Sequence, residues 1–193
     1  MKNIFKQVLF NTGCLAFSFC SFPFLHEGGH ALATILTGGQ VSGFNINPLG
    51  WSYLIYPSSP PNLLFTAWGG ILFSTFISLF FIGIAFRYRN PFVVLIGFLG
   101  IYGLLHNGLD FIFGMVFATG DPSLLLRLGV PSWSILLAAC FSLLFGSLLA
   151  FFFQPMIGIK PTDLFAKRFI LLGLGFGLLR FFVTIYNILL GTQ

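Results

Sequence analysis

Charge is what this sequence has least of. Of its 193 residues, 9 are Lys or Arg and 4 are Asp or Glu, so 7% are charged while 57% are hydrophobic. A soluble domain carries about 25% charge, so these residues cannot build a water-facing surface. That excludes a soluble enzyme and leaves no material for a second, soluble domain; residues 1–193 read as a single membrane-embedded domain. Cysteine is scarce too. The 3 present, Cys14, Cys20 and Cys140, lie in apolar runs without C-x-x-C spacing, which excludes a disulfide framework and reads as small buried hydrophobes. With 3 histidines and 4 acids in the chain, any metal or acid–base chemistry must draw on very few side chains. No internal repeat is visible.

What the chain has in abundance is long apolar runs, with 28 phenylalanines among them. Crossing the hydrocarbon as a helix takes about 20 apolar residues, and a helix lets one segment satisfy its own backbone in lipid. Candidate spans are 7–36, 63–86, 91–118, 133–154 and 169–190. The N-terminal "MKNIFKQVLFNTGCLAFSFCSF" is built like a signal peptide but lacks a small-x-small cleavage site. Phe19 before Cys20 also spoils a lipoprotein site, so the stretch reads as an uncleaved first span.

Basic residues set the orientation. Lys2, Lys6, Arg87, Arg89, Lys160, Lys167 and Arg168 all fall on one side of a five-span protein. The expected topology has the N-terminus in the cytoplasm and the C-terminus outside. This asymmetry accounts for the net charge of +5, which is no argument for a nucleic-acid partner; the partner that composition implies is the lipid bilayer. Between the first two spans, "VSGFNIN" and "WSYLIYP" flank "PLG" and predict a β-hairpin, with Gly38 and Gly39 stopping the helix before it. The hairpin lies either on the membrane surface or sheltered by protein or a water cavity.

The chemistry concentrates in "FPFLHEGGHALATILTGG", residues 22–39. On a helix, His26 and His30 stand at i and i+4 and project from one face. They can fill two corners of a tetrahedral zinc site with Glu27 beside them as general base, the logic of H-E-x-x-H. Zinc lowers the pKa of a bound water from 15.7 to about 7. A charged side chain mid-span costs about 2.5–3.5 kcal/mol on insertion scales, so a glutamate here points to function. Gly28 and Gly29 weaken the helix by about 1 kcal/mol each; they give room at the metal or allow tight helix packing. Pro23 removes one helix hydrogen bond just before the motif.

A catalytic zinc takes three protein ligands and an open position. The remaining candidates are His106, Asp110, Asp121 and Asp163. The first and third spans run in the same direction, so depth can choose among them. His26 and His30 lie about eleven and seven residues before the end of the first span, and Asp110 about eight before the end of the third, a match within a few ångströms at 1.5 Å per residue. Asp121 falls just past the span end and Asp163 on the opposite side. Depth therefore selects Asp110. His106, four residues before it on the same face, is a fourth ligand, an outer partner or a proton shuttle; a buried neutral histidine bonded to a carbonyl is the plainer alternative. Asn107 either bonds a substrate carbonyl or oxyanion or links two helices.

These residues resemble the site-2 protease family of intramembrane zinc metallopeptidases, in its short M50B-like branch. "HEGGHALATILTGG" with the hairpin that follows is similar to that branch's active-site helix and next element. "AWGGIL" at 67–72 is similar to its small-residue second span, and "NGLDFIFGMVFATGDPSLLLRLGVPSW" at 107–133 to its third span and acidic turn. The resemblance covers roughly residues 20–133. It implies a three-helix metalloprotease core, at about 7–133; with the apolar runs, the expected fold is an all-α integral membrane protein of about five transmembrane helices, with a β-hairpin after the first helix and extra spans at about 133–190. The resemblance implies one zinc ion per chain held by His26, His30 and an aspartate, with Glu27 as base. "LDF" at 109–111 matches the first two letters of the family's L-D-G at Asp110, and Asp121 in "TGDPS" is the rival. The substrate class implied is a transmembrane helix of another protein, unwound for cutting and received at the hairpin edge.

Two other classes use the same side chains: a silent relative that binds membrane helices without cutting, and an ion transporter. The intact HEGGH argues against the first, and the lack of paired broken helices against the second. Arg180, about eleven residues into the fifth span, sits where snorkelling is hardest. It is expected to border the active-site cavity and to pair with an acid or with Asn187.

Overall fold

The computed structural model describes residues 2–47, 52–88 and 91–153. Its elements, in chain order, are α1 (Lys2–Leu36), β1 (Gly43–Asn45), β2 (Tyr53–Ile55), α2 (Leu63–Arg87), α3 (Pro91–Phe117), α4 (Gly120–Arg127) and α5 (Ser132–Phe153). The first four expected spans correspond to α1, α2, α3 and α5. The fifth expected span, with Arg180 and Asn187, lies outside the described residues. Within them, α2, Phe92–Phe117 of α3, and α5 are long and apolar enough to cross a membrane. At 35 residues, α1 is about 50 Å long, more than the roughly 30 Å of hydrocarbon, and it runs on through Pro23.

The helices form a bundle around α3. It packs against α1, α2, α4 and α5, while α1 also lies along α2. One apolar cluster joins Cys14, Ile82, Phe98, Leu104 and Phe153, and a second joins Ala67, Ile71, Phe111, Leu125, Ile135 and Ala139. Large apolar side chains elsewhere face outward: Phe76 is 68% and Leu144 73% exposed. Outward Phe and Leu are the expected covering of a bundle whose solvent is lipid.

Small residues decide how close α1 and α2 come. A methyl group on Gly29 would meet the Gly69 carbonyl and Phe73, and one on Gly69 would meet Ala33. Gly28 behaves differently. It lies about 200° around the helix from His26 at 3.6 residues per turn, and a methyl group there would meet nothing within 4 Å. The two motif glycines thus divide: Gly29 serves close packing, while Gly28 faces away from the histidines.

The chain leaves α1 through Gly38 (φ 84°), with the Gly39 N–H bonded to the Thr34 carbonyl at 2.9 Å, a Schellman closure. The hairpin follows, with the antiparallel register Gly43↔Ile55, Phe44↔Leu54 and Asn45↔Tyr53. β2 packs against α1. The α2 N-terminus is capped by Asn62, whose Oδ1 accepts from the Phe65 N–H at 2.9 Å.

The segment between the third and fourth expected spans is where the structure adds most. It contains α4, which sequence reading leaves inside a connection. Ala118 adopts φ 53° and Gly120 φ 62°, and the Thr119 N–H bonds the Gly114 carbonyl at 3.0 Å. This closes α3 in the same six-residue manner as α1, with alanine where glycine usually stands. Pro122 follows in the first turn of α4. A methyl group on Gly114 would meet Pro122 Cγ at 2.6 Å, so the missing side chain lets α4 fold back onto α3.

Candidate metal centre

Three side chains converge where α1, α2 and α4 meet. His26 Nε2 lies 2.9 Å from Asp121 Oδ2, His30 Nε2 lies 3.0 Å from the same oxygen, and the two Nε2 atoms are 3.1 Å apart. The histidines come from successive turns of α1, as their spacing requires. Asp121 reaches them from the first turn of α4, where a helix N-terminus favours a carboxylate. Burial raises the affinity of the Asp121 carboxyl for a proton. The charge on His30 and hydrogen bonds from both imidazoles outweigh it, holding the group below the ordinary carboxylate range.

His30 is oriented from behind. Its Nδ1 lies 2.7 Å from the carbonyl oxygen of Thr66, a distance at which Nδ1 carries the proton and the carbonyl accepts. The 3.3 Å approach of the Gly70 N–H to the same nitrogen is then a contact between two donors and adds nothing. With Nδ1 bonded to this carbonyl, Nε2 is the nitrogen that gives up its proton when His30 is neutral and then turns a lone pair into the cluster. A carbonyl partner behind a metal-binding imidazole is the usual arrangement. Gly70 makes the space, since a methyl group there would collide with the imidazole at Nε2, Cε1 and Cδ2. Thr34 completes the backing: its hydroxyl donates to the His30 carbonyl at 2.9 Å and lies 3.3 Å from the Thr66 hydroxyl. His26 is held less fully, for its buried Nδ1 has no hydrogen-bond partner among the described residues. Glu27, next to it on α1, is 6% exposed.

The third member of the cluster corrects the depth-based choice. The structure brings Asp121, and not Asp110, to the histidines; Asp110 sits half-buried on α3 outside the group. Depth along α3 failed as a criterion because the chain reverses after Phe117, so an acid just past the helix end is carried back toward the bundle. His106 is also outside the group. It packs on Phe22 (ring centroids 4.6 Å) and Tyr102 (5.6 Å), and Phe22 in turn stands 6.1 Å from His26. Asn107 takes the interhelical role. Its Nδ2 donates to Ser74 Oγ at 2.9 Å and to Thr75 Oγ1 at 3.0 Å, tying α3 to α2.

The Peptidase M50B-like family matches residues 21–159 of the chain, which takes in α1 from Ser21 onward, the hairpin, α2, α3, α4 and α5. The chain belongs to that family. It is thus a member of the site-2 protease group, whose proteins are membrane-embedded and zinc-dependent. No curated protein and no solved structure gives a match to it.

For an M50B-like chain, the test is whether these residues fit zinc. Bonds of about 2.0–2.1 Å at tetrahedral angles set ligand atoms about 3.3–3.4 Å apart. The observed triangle, with edges of 2.9, 3.0 and 3.1 Å, is within a few tenths of an ångström of that. Two imidazole nitrogens and one carboxylate oxygen are also an ordinary donor set for a catalytic zinc. The residues fit. Sequence reasoning missed the backing of this site by Thr66, Gly70 and Thr34. The small pair in "AWGGIL" was the only advance sign of it.

Proposed function

We propose that this M50B-like chain is an intramembrane zinc endopeptidase, with His26, His30 and Asp121 holding the metal and Glu27 as general base. The observation that carries this reading is the near-equilateral triangle of ligand atoms drawn from α1 and α4, residues 95 apart in sequence, with an acid next to it on the same helix. Zinc, when bound, supplies Lewis acidity that makes water a competent nucleophile near neutral pH. Glu27 accepts the proton of the attacking water and passes it to the leaving amide nitrogen, so one peptide bond is exchanged for a carboxyl and an amine. The Thr66 carbonyl holds the His30 imidazole in one tautomer and orientation, and the Thr34 hydroxyl ties the backbone of that turn to the Thr66 side chain. The substrate is a membrane-embedded helix of another protein. A segment of it unwinds and joins the hairpin edge as an extra strand, which satisfies the backbone groups that unwinding frees.

The test is metal content and cleavage measured on the same preparations. Wild-type protein should carry about one zinc per chain, cut a reconstituted single-span peptide, and stop when chelated. Glu27→Gln should keep the zinc and lose cleavage, because it removes the base and leaves all three ligands. Normal cutting by Glu27→Gln would refute the mechanism; a zinc-loaded wild type that never cuts would favour a silent helix-binding relative.

A further inference from the structure

The short helix α4 has Asp121 in its first turn and Arg127 in its last. Its inner side is fixed: Pro122, Ser123 and Leu125 are buried, and Leu125 lies in the cluster with Phe111 and Ile135. Two residues on, about 200° around the helix, Arg127 turns outward and is exposed. A cation in the last turn of a helix ordinarily meets the free carbonyls there. Backbone groups have taken that duty. The Leu128 N–H bonds the Leu124 carbonyl, that of Gly129 the Leu126 carbonyl and that of Val130 the Leu125 carbonyl, each at 3.0 Å. No ion pair to Arg127 stands among the described residues, and Asp121, about one and two-thirds turns away, is engaged by the two histidines. Arg87, at the end of α2, lies over the Tyr88 ring at 5.5 Å; among the described residues Arg127 has no such ring. The side chains around it in sequence are apolar and open. Leu126 and Leu128 are exposed, and Trp133, at the start of α5, is 64% exposed. They run on into the outward Leu136 and Leu137 of α5, one of the helices fit to span the membrane.

We infer that Arg127 binds the phosphate of a membrane phospholipid, and that this contact holds α4 where it brings Asp121 to His26 and His30. α4 joins the end of one span to the start of the next, α3 to α5, so it lies where hydrocarbon gives way to headgroups. One surrounding satisfies all of its outward side chains. The leucines rest on acyl chains, the Trp133 indole sits in the boundary layer where tryptophan concentrates, and the guanidinium takes a phosphate, the anion that its fork of N–H donors fits. Only eight residues long, α4 passes a displacement of one end to the other. Its apolar anchor at Leu125 is non-directional; a charge-assisted bond at Arg127 adds direction. The role toward Asp121 rests on the metal centre proposed above, whereas the phosphate contact does not.

The experiment uses the full-length protein in nanodiscs of phosphatidylglycerol, of a galactosyl diacylglycerol with the same acyl chains but no phosphate, or of both mixed. Native mass spectrometry of protein released from the mixed discs counts retained lipid. Chelator competition in the single-lipid discs gives zinc affinity. Wild type should retain phosphatidylglycerol in preference to the galactolipid and bind zinc more tightly in its presence. Arg127→Gln should lower the retention about fivefold, the factor that corresponds to roughly 1 kcal/mol for one cation at a lipid surface, and should bind zinc equally in the two lipids. Arg127→Lys, which keeps the charge, should retain most of both effects. Equal retention by wild type and Arg127→Gln overturns the inference. So does a wild-type zinc affinity that is the same in both lipids, which would leave Arg127 a lipid contact without influence on Asp121. A wild type that holds no zinc in either lipid defeats the metal reading, and the role toward Asp121 falls with it; the retention measurement then decides the phosphate contact alone.

Discussion

Replacing Asp121 by alanine is the sharpest perturbation of the proposed centre, because the structure and the depth of residues along α3 point to different acids. In four-ligand zinc-finger peptides the metal contributes about 10–16 kcal/mol at neutral pH, roughly 2.5–4 kcal/mol per ligand. Losing the Asp121 carboxylate from the triangle of His26, His30 and Asp121 should therefore weaken zinc binding about 10²–10³-fold, at 1.4 kcal/mol per tenfold. Asp110→Ala should change it by no more than about threefold, since loss of a contact away from the cluster reaches the metal only through packing. The assay is competition against a chromophoric chelator in detergent, with circular dichroism to confirm that each variant is still helical. Because Asp121→Ala also leaves two imidazoles without their acceptor, Asp121→His supplies a control that restores a ligand and should recover most of the lost affinity. Strong zinc loss in Asp110→Ala with near-normal binding in Asp121→Ala would refute the arrangement and reinstate the acid on α3.

Three further outcomes are expected. Gly70→Ala should weaken zinc binding at least as much as removing a partner behind a ligand does, about 10–100-fold, because its methyl group would occupy the space of the His30 imidazole; the same competition assay reads it. Gly28→Ala should be neutral or stabilising by up to about 1 kcal/mol from helix propensity, whereas Gly29→Ala should destabilise by about 1–3 kcal/mol through overpacking against Gly69 and Phe73, a contrast measurable in unfolding from detergent micelles. A reporter fused after Gln193 should read outside and one placed in "KPTDLFAKR" cytoplasmic; the same signal at both positions would rule out five spans.

Periodicity and hydropathy located four of the helices because each is a long apolar run bounded by glycine, proline or charge, and a bilayer admits little else. The expected 63–86 and the observed Leu63–Arg87 differ by one residue. His26, Glu27 and His30 were legible for a similar reason: an i, i+4 spacing fixes geometry within one helix. What could not be read was anything set by contact between helices. That His30 would face the Thr66 carbonyl, or that Asn107 would bond Ser74 and Thr75, depends on how α1, α2 and α3 rotate against each other. Gly29 and Gly28 are the same letter with different duties, separated only by the position of α2.

Asp121 was misplaced for a further reason, which concerns how the centre is built. An aspartate beyond the end of α3 is remote from the motif unless the chain reverses there, and the reversal breaks a local rule. Ala118 stands at φ 53°, where an L-residue with a β-carbon is disfavoured by about 1–2 kcal/mol. Nothing in the letters "FATGDP" announces that Ala118 will take a left-handed conformation as well as Gly120. The surroundings over-determine it. Thr119 bonds back to Gly114, Pro122 fills the notch that Gly114 leaves, and Leu125, fully buried, anchors α4 to Phe111 and Ile135. Strain of this kind persists only where neighbouring structure holds it, and it gathers at functional sites. Here it delivers a carboxylate to within 3.0 Å of two imidazoles. The proposed centre thus spends local stability in the α3–α4 turn to complete a ligand set that α1 alone leaves one short.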